Sequence, residues 1–220
     1  MKTTGMGPRA RPTTLADLID AAAGLAAGPQ RAILGITGAP GAGKSTLGER
    51  IVEALGPDRA VLVPMDGFHL ADAVLAARSL RDVKGAIHTF DDAGYAALLR
   101  RIRDQRPGET VYAPHFDRSL EEPIAGSIEV RPEVPLVVTE GNYLLADDGA
   151  WPRARACLTE CWFLDPPPDV RRERLVARHV AFGKSPDDAR AWALGTDEAN
   201  AALIEGTAGR ADRVFRIVEG

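Results

Sequence analysis

Eight residues, Gly38-Ala39-Pro40-Gly41-Ala42-Gly43-Lys44-Ser45, limit what this chain can fold into more than any other stretch. They match G-x-x-x-x-G-K-[ST] without a mismatch, and that pattern works only where a strand turns into a helix. The flanks agree. Residues 31–37 (RAILGIT) are a short apolar run suited to a buried parallel strand, and residues 46–55 (TLGERIVEAL) place Leu47, Ile51 and Leu55 on one helical face. Glycines let the backbone bend so that its N–H groups point at phosphate oxygens, and the helix N-terminus adds a partial positive charge. The expected nucleotide-binding set is Gly38, Ala39, Pro40, Gly41, Ala42, Gly43, Lys44, Ser45 and Thr46. Lys44, read as an exposed loop side chain, would reach the β- and γ-phosphates, and the Ser45 hydroxyl would hold Mg²⁺.

The rest of the 220 residues show no break in composition, so a single domain is expected over 13–220, after a disordered lead-in at 1–12. A net charge of −4 gives no electrostatic footprint for nucleic acid. There is neither an apolar run long enough to span a bilayer nor a signal-peptide core, so no membrane partner and a cytoplasmic location are expected. Cys157 and Cys161 lack a second half-site and read as small buried side chains, not as a metal site or a disulfide.

Thr13 and Thr14 can cap a helix through about residue 27. Strands at 59–64 (RAVLVP), 135–139 (PLVVT), 160–164 (ECWFL) and 213–218 (RVFRIV) join 31–37 in a mainly parallel five-stranded core. Helices are expected at 70–80, 92–104 and 185–205, and a basic one at 169–182 within a lid of about 169–185. The architecture is therefore α/β: the P-loop NTPase fold, three-layer α/β/α, with a small antiparallel acceptor-binding excursion at about 109–131. In that insert two short strands, 109–114 and 126–131, flank a polar segment. Ligand-contacting side chains gather at the carboxyl ends of strands in such sheets. Asp66 follows 59–64 there, and Glu140-Gly141-Asn142-Tyr143 follows 135–139. A helix N-cap is the competing role for Asp66.

Other P-loop classes fit poorly. There is no N-K-x-D base-recognition motif, the D-x-x-G match at 91–94 begins a helix, and the strand at 135–139 runs into Thr139-Glu140-Gly141, not Asp-Glu. A compact kinase remains. The P-loop, Met65-Asp66-Gly67-Phe68, Val137-Val138-Thr139-Glu140-Gly141 and Arg174 with Arg178 together resemble the phosphoribulokinase, uridine kinase and bacterial pantothenate kinase family, from about Ile33 onward. Within it the chain is most similar to small bacterial nucleoside/nucleotide kinase-like proteins, some of them fructose transport-associated sugar kinase-like. The shared stretches are MDGFH (65–69), KGAIHTFD (84–91), FDRSLEEPI (116–124) and EGNYLL (140–145). The resemblance implies that Asp66 activates the acceptor, that Glu140 is the strand-end acid near Mg²⁺, and that Arg174 and Arg178 are lid arginines, with Asn200 near the lid. Where uridine kinases carry a Y-x-F-x-x-H-x-R-like stretch, this chain has Tyr112-Ala113-Pro114-His115-Phe116-Asp117-Arg118.

The function expected is transfer of the ATP γ-phosphoryl group to a hydroxyl of a small polar metabolite, with ATP and Mg²⁺ as cofactors. Asp66, Lys44, Arg178 and Arg174 form the catalytic set, and Ser45 and Glu140 the metal ligands. His69, Tyr112, His115, Asp117, Arg118, Asn142 and Tyr143 are candidate acceptor contacts. So polar a lining favours a sugar or nucleoside, the sugar slightly ahead. A uridine-, pantothenate- or ribosylnicotinamide-type kinase is the alternative. From another class, a nucleotide-dependent switch or binding protein would need neither Asp66 nor the insert. A homodimer stays open.

Overall fold

The computed structural model describes residues 10–218 except Phe182 and Lys184. The chain starts with β1 (Arg11–Thr13) and α1 (Leu15–Ala26). Thr14 caps α1: its hydroxyl accepts the Asp17 N–H, and the Asp17 carboxylate accepts the Thr14 N–H in return. β2 (Ala32–Thr37), buried along its whole length, runs into α2 (Lys44–Leu55) and then β3 (Ala60–Leu62). After a 3₁₀ turn at Met65–Phe68 come α3 (Asp72–Ala77) and α4 (Asp92–Arg103), the latter capped by the Asp91 carboxylate. β4 (Val111–Asp117) and β5 (Glu122–Val130) form a hairpin apart from the main sheet. β6 (Leu136–Glu140), α5 (Trp151–Arg155), β7 (Glu160–Leu164), α6 (Pro168–Ala181), α7 (Pro186–Leu194), α8 (Thr196–Glu205) and β8 (Arg213–Ile217) complete the chain.

The main sheet is parallel with strand order β1-β8-β7-β2-β6-β3. It has six strands, not the expected five. The extra one is β1, paired from Arg11↔Phe215 to Thr13↔Ile217, so the end of the supposed disordered lead-in is ordered. Arg-Pro-Thr carries no apolar signal, and Pro12 lacks an N–H, which an edge strand tolerates. The first nine residues lie outside the described residues.

Helices cover both faces of the sheet. Leu18, Leu47, Ile51 and Trp162 fill one side, under α1 and α2. Tyr95, Leu99, Leu144 and Trp151 fill the other, under α4 and α5. Three further expectations are corrected. The helix expected at 185–205 is two, α7 and α8, because Gly195 breaks it with φ −100° and ψ −95°. The helix at 70–80 shrinks to α3. The polar middle of the insert is itself strand, so the hairpin is longer than expected, with an irregularity between Ala113 and His115 where Pro114 has no N–H to give. Cys157 and Cys161 are buried free thiols. No helix among the described residues is long and apolar enough to cross a membrane.

Candidate active site

The P-loop takes its shape from crowding. A Cβ on Gly38 would stand 2.6 Å from the Leu164 carbonyl oxygen, and one on Gly41, at φ 82°, would stand 2.7 Å from that of Arg171. Only glycine fits these positions. Gly43 caps α2 without any side-chain bond, leaving first-turn N–H groups available to an anion. Lys44 Nζ donates to the carbonyls of Gly38 at 2.9 Å and Ala39 at 3.2 Å. Contrary to the sequence expectation it is buried, at 8% exposure. Burial lowers its pKa to about 8, against the pull of Glu140.

Two carboxylates meet the loop from neighbouring strands. Glu140 ends β6, and Ser45 Oγ donates to its Oε1 at 3.1 Å. Burial, with Asp66 nearby, raises the Glu140 pKa to about 7. Asp66 sits in the 3₁₀ turn that follows β3. The two strand ends are bolted together, since Thr139 Oγ1 donates to the Val63 carbonyl at 2.6 Å and lies 2.7 Å from the Tyr95 hydroxyl. Asp66 is not the cap of α3; that place falls to Ala71. Its Oδ2 accepts a 2.7 Å bond from Arg118, at the hairpin turn.

These groups face one cleft of about 490 Å³. Lys44, Ser45, Asp66 and Glu140 line its floor, and Arg178, His179, Asp197 and Asn200 its lid side. Side-chain contacts between α6 and α8 set that side. His179 Nε2 lies 2.7 Å from Asp197 Oδ2, and the buried Arg171 bonds Glu198 at 2.7 Å, tying α6 to α8.

No family model matches the chain. Relatives do. The ATP-dependent kinase-like protein notR' of Aspergillus versicolor is 37% identical over 145 residues, 62% of this chain and 84% of its own length. A Schizosaccharomyces pombe protein named as a candidate uridine kinase, C227.14, is 33% identical over 162 residues, covering 70% of this chain and 68% of its own. The solved structure of a candidate fructose transport system kinase from Silicibacter sp. TM1040 superposes with a TM-score of 0.81 at 38% identity, over 92% of this chain and 99% of that one. This chain belongs to the phosphoribulokinase and uridine kinase family of P-loop kinases.

Within this P-loop kinase the expected acceptor residues divide. His69, Arg118 and Asn142 line the cleft. Tyr143 is buried behind it, its hydroxyl donating to the Gly85 carbonyl at 2.7 Å and its ring packed against Phe90 and Trp151. Asp117 holds the hairpin turn, accepting from Ser119 N at 2.8 Å, Ser119 Oγ at 2.6 Å and Leu120 N at 3.1 Å. Tyr112, 57% exposed, and His115 project from β4 to solvent, opposite the buried Ala113 and Phe116, and neither lines the cleft. Arg174 does not line it either, although its Nη1 would stand 3.5 Å from a Cβ on Gly43.

The residues that sequence reasoning missed are Arg81, Lys84, Phe90, Phe116, Glu121 and Asp197. Lys84 and Phe90 belong to the KGAIHTFD stretch, whose likeness to the family was their one signal. His69 is wedged between Phe90 and Phe116, with ring centroids 4.0 and 4.9 Å away, and burial lowers its pKa to about 4. It is therefore neutral at physiological pH.

Proposed function

We propose that this kinase transfers the γ-phosphoryl group of ATP to a hydroxyl of a small polar metabolite of sugar or nucleoside type. The observation that carries the reading is that Asp66 shares one cleft with Lys44, Ser45 and Glu140. A nucleotide switch needs the last three alone. A kinase also needs a carboxylate where the acceptor hydroxyl arrives.

Phosphoryl transfer asks a protein mainly for positioning and charge neutralisation. The free N–H groups at the start of α2, together with Lys44, would hold the β- and γ-phosphates. On entry of the triphosphate, Lys44 would exchange its carbonyl partners for phosphate oxygens. The acceptor oxygen then bonds to the γ-phosphorus as the bond from that phosphorus to the β,γ-bridging oxygen breaks. The hydroxyl proton passes to Asp66, and Arg178, from the lid side, offsets charge on the migrating group.

The residues present fit Mg²⁺. No group of three ligating His, Cys, Asp or Glu side chains occurs among the described residues. Mg²⁺ at such sites needs only one or two protein oxygens beside phosphates and water, and the paired Ser45 hydroxyl and Glu140 carboxylate supply them. Bound there, the ion would neutralise phosphate charge.

The test is acceptor-dependent ADP release across sugars, polyols, nucleosides and pantothenate. Release above the ATP-only rate with a hydroxylated acceptor supports the reading. ADP release that no acceptor stimulates, with tight nucleotide binding, would favour a switch.

A further inference from the structure

The end of the cleft beyond Asp66 carries four hydrogen-bond-donating side chains, His69, Arg81, Lys84 and Arg118, and one exposed carboxylate, Glu121. Phe116 organises it. The Lys84 ammonium stands 5.3 Å from its ring centroid and the Arg118 guanidinium 5.2 Å, with the His69 imidazole stacked at 4.9 Å. His69 Nδ1 is buried without a hydrogen-bond partner. An orphaned lone pair costs less than an orphaned N–H, so the proton of this neutral ring belongs on Nε2. That leaves an N–H donor for a ligand.

The carboxylates nearby leave N–H groups on these cations free: Glu121 lines this end but is exposed and forms no ion pair with them among the described residues. Asp72 is not part of the cleft lining; from behind it bonds Lys84 at 2.6 Å and Arg81 at 3.1 Å, and its own N–H is bonded to Glu122. Lys84 spends a second N–H on the Glu121 carbonyl and retains a third. Among the described residues Arg118 is bonded to Asp66 alone, and half of its side chain is exposed. When Asp66 turns to a substrate hydroxyl, Arg118 loses its anion.

We propose that the acceptor carries, besides the hydroxyl that meets Asp66, an oxyanion held by Arg118, Lys84 and His69. Its class is then a hydroxylated carboxylate or a hydroxylated phosphate monoester. A planar guanidinium and an ammonium over one ring suit either anion. The inference rests on the kinase reading above, keeps its hydroxyl acceptor, and adds an anionic group that a plain sugar or nucleoside lacks.

The test begins without an acceptor. Protein saturated with a non-hydrolysable ATP analogue and Mg²⁺ is titrated with inorganic phosphate and, separately, with acetate. Saturable binding of at least one anion is expected, weakened about 10–100-fold in Arg118→Met and in Lys84→Met, with nucleotide affinity preserved. Lys84→Arg, which keeps the charge and the hairpin contacts, should restore most of it. Absence of anion binding, or equal binding in both Met variants, overturns the inference and leaves the kinase reading intact. A wild-type protein that binds no nucleotide overturns both. Turnover of glycerol, glycerate and glycerol phosphate then separates the sources: preference for glycerate or for the phosphate ester supports the proposal, and preference for glycerol overturns it.

Discussion

Ser45 Oγ lies 3.1 Å from Glu140 Oε1, joining residues 95 apart in the chain. The contact follows from topology. β2 and β6 are parallel neighbours, so the turn after one and the last residue of the other emerge together at the carboxyl edge. It brings a buried carboxylate to the mouth of a phosphate-binding loop, and its consequences can be measured.

The first concerns pH. The Glu140 pKa is raised from 4.5 to about 7, so the folded state prefers the neutral acid. The resulting stability is fully present below the unfolded value and is lost as pH rises through about 7. Ionised Glu140 then costs the free protein up to about 3 kcal/mol. Without nucleotide or Mg²⁺, Glu140→Gln should match wild type in melting temperature at pH 4 and exceed it at pH 7.5. Parallel melting profiles across that range would contradict the assignment. Affinity for the Mg²⁺–nucleotide complex should rise over the same window in wild type and stay flat in the variant.

Lys44→Ala should lower ATP turnover by at least ~10³-fold, because it removes a positive charge aimed at the transferring group. The fold should survive, since Lys44 lines the cleft and water can take the place of its ammonium on the Gly38 and Ala39 carbonyls. Turnover near the wild-type rate would contradict the phosphate role.

Asp66→Asn keeps the shape of the side chain and removes its basicity. Acceptor phosphorylation should fall ~10²–10⁴-fold while nucleotide affinity holds. A collapse in nucleotide affinity would instead make Asp66 a metal ligand and require another base.

Gly67 tests whether the hairpin sets the position of Asp66. A Cβ there would stand 2.4 Å from the Pro114 carbonyl oxygen, backbone against backbone. Gly67→Ala should cost ~1–3 kcal/mol of stability and push the Asp66 turn off the hairpin. The expected kinetic signature is a raised acceptor KM with the ATP KM unchanged. Equal rises in both would show that the hairpin does not act through Asp66.

What could be read from the sequence follows from how local each signal is. The P-loop is contiguous, and its geometry is carried by its own glycines and the apolar run before it. Asp66 and Glu140 were legible as positions because each follows a buried strand. The partnership of Asp66 with Arg118 was not, since it joins residues 52 apart through a hairpin whose register no short pattern announces. Tyr112 and His115 looked like acceptor contacts by chemistry, yet both point outward: alternation turns Tyr112 away, and the register shift at Pro114 turns His115 to the same side. Lys84 reaches the cleft from a loop, and only its likeness to the family hinted at it. β1 was illegible for a simpler reason: Arg-Pro-Thr becomes a strand only because β8 offers it an edge.

Phosphorus NMR of a turning-over sample tests the central claim most directly. With ATP, Mg²⁺ and an acceptor that stimulates ADP release, a phosphomonoester resonance should grow one-for-one with ADP. It should be absent in Asp66→Asn over the same interval. Inorganic phosphate as the sole product, or a new diphosphate resonance from transfer to an acceptor's phosphate, would contradict the account.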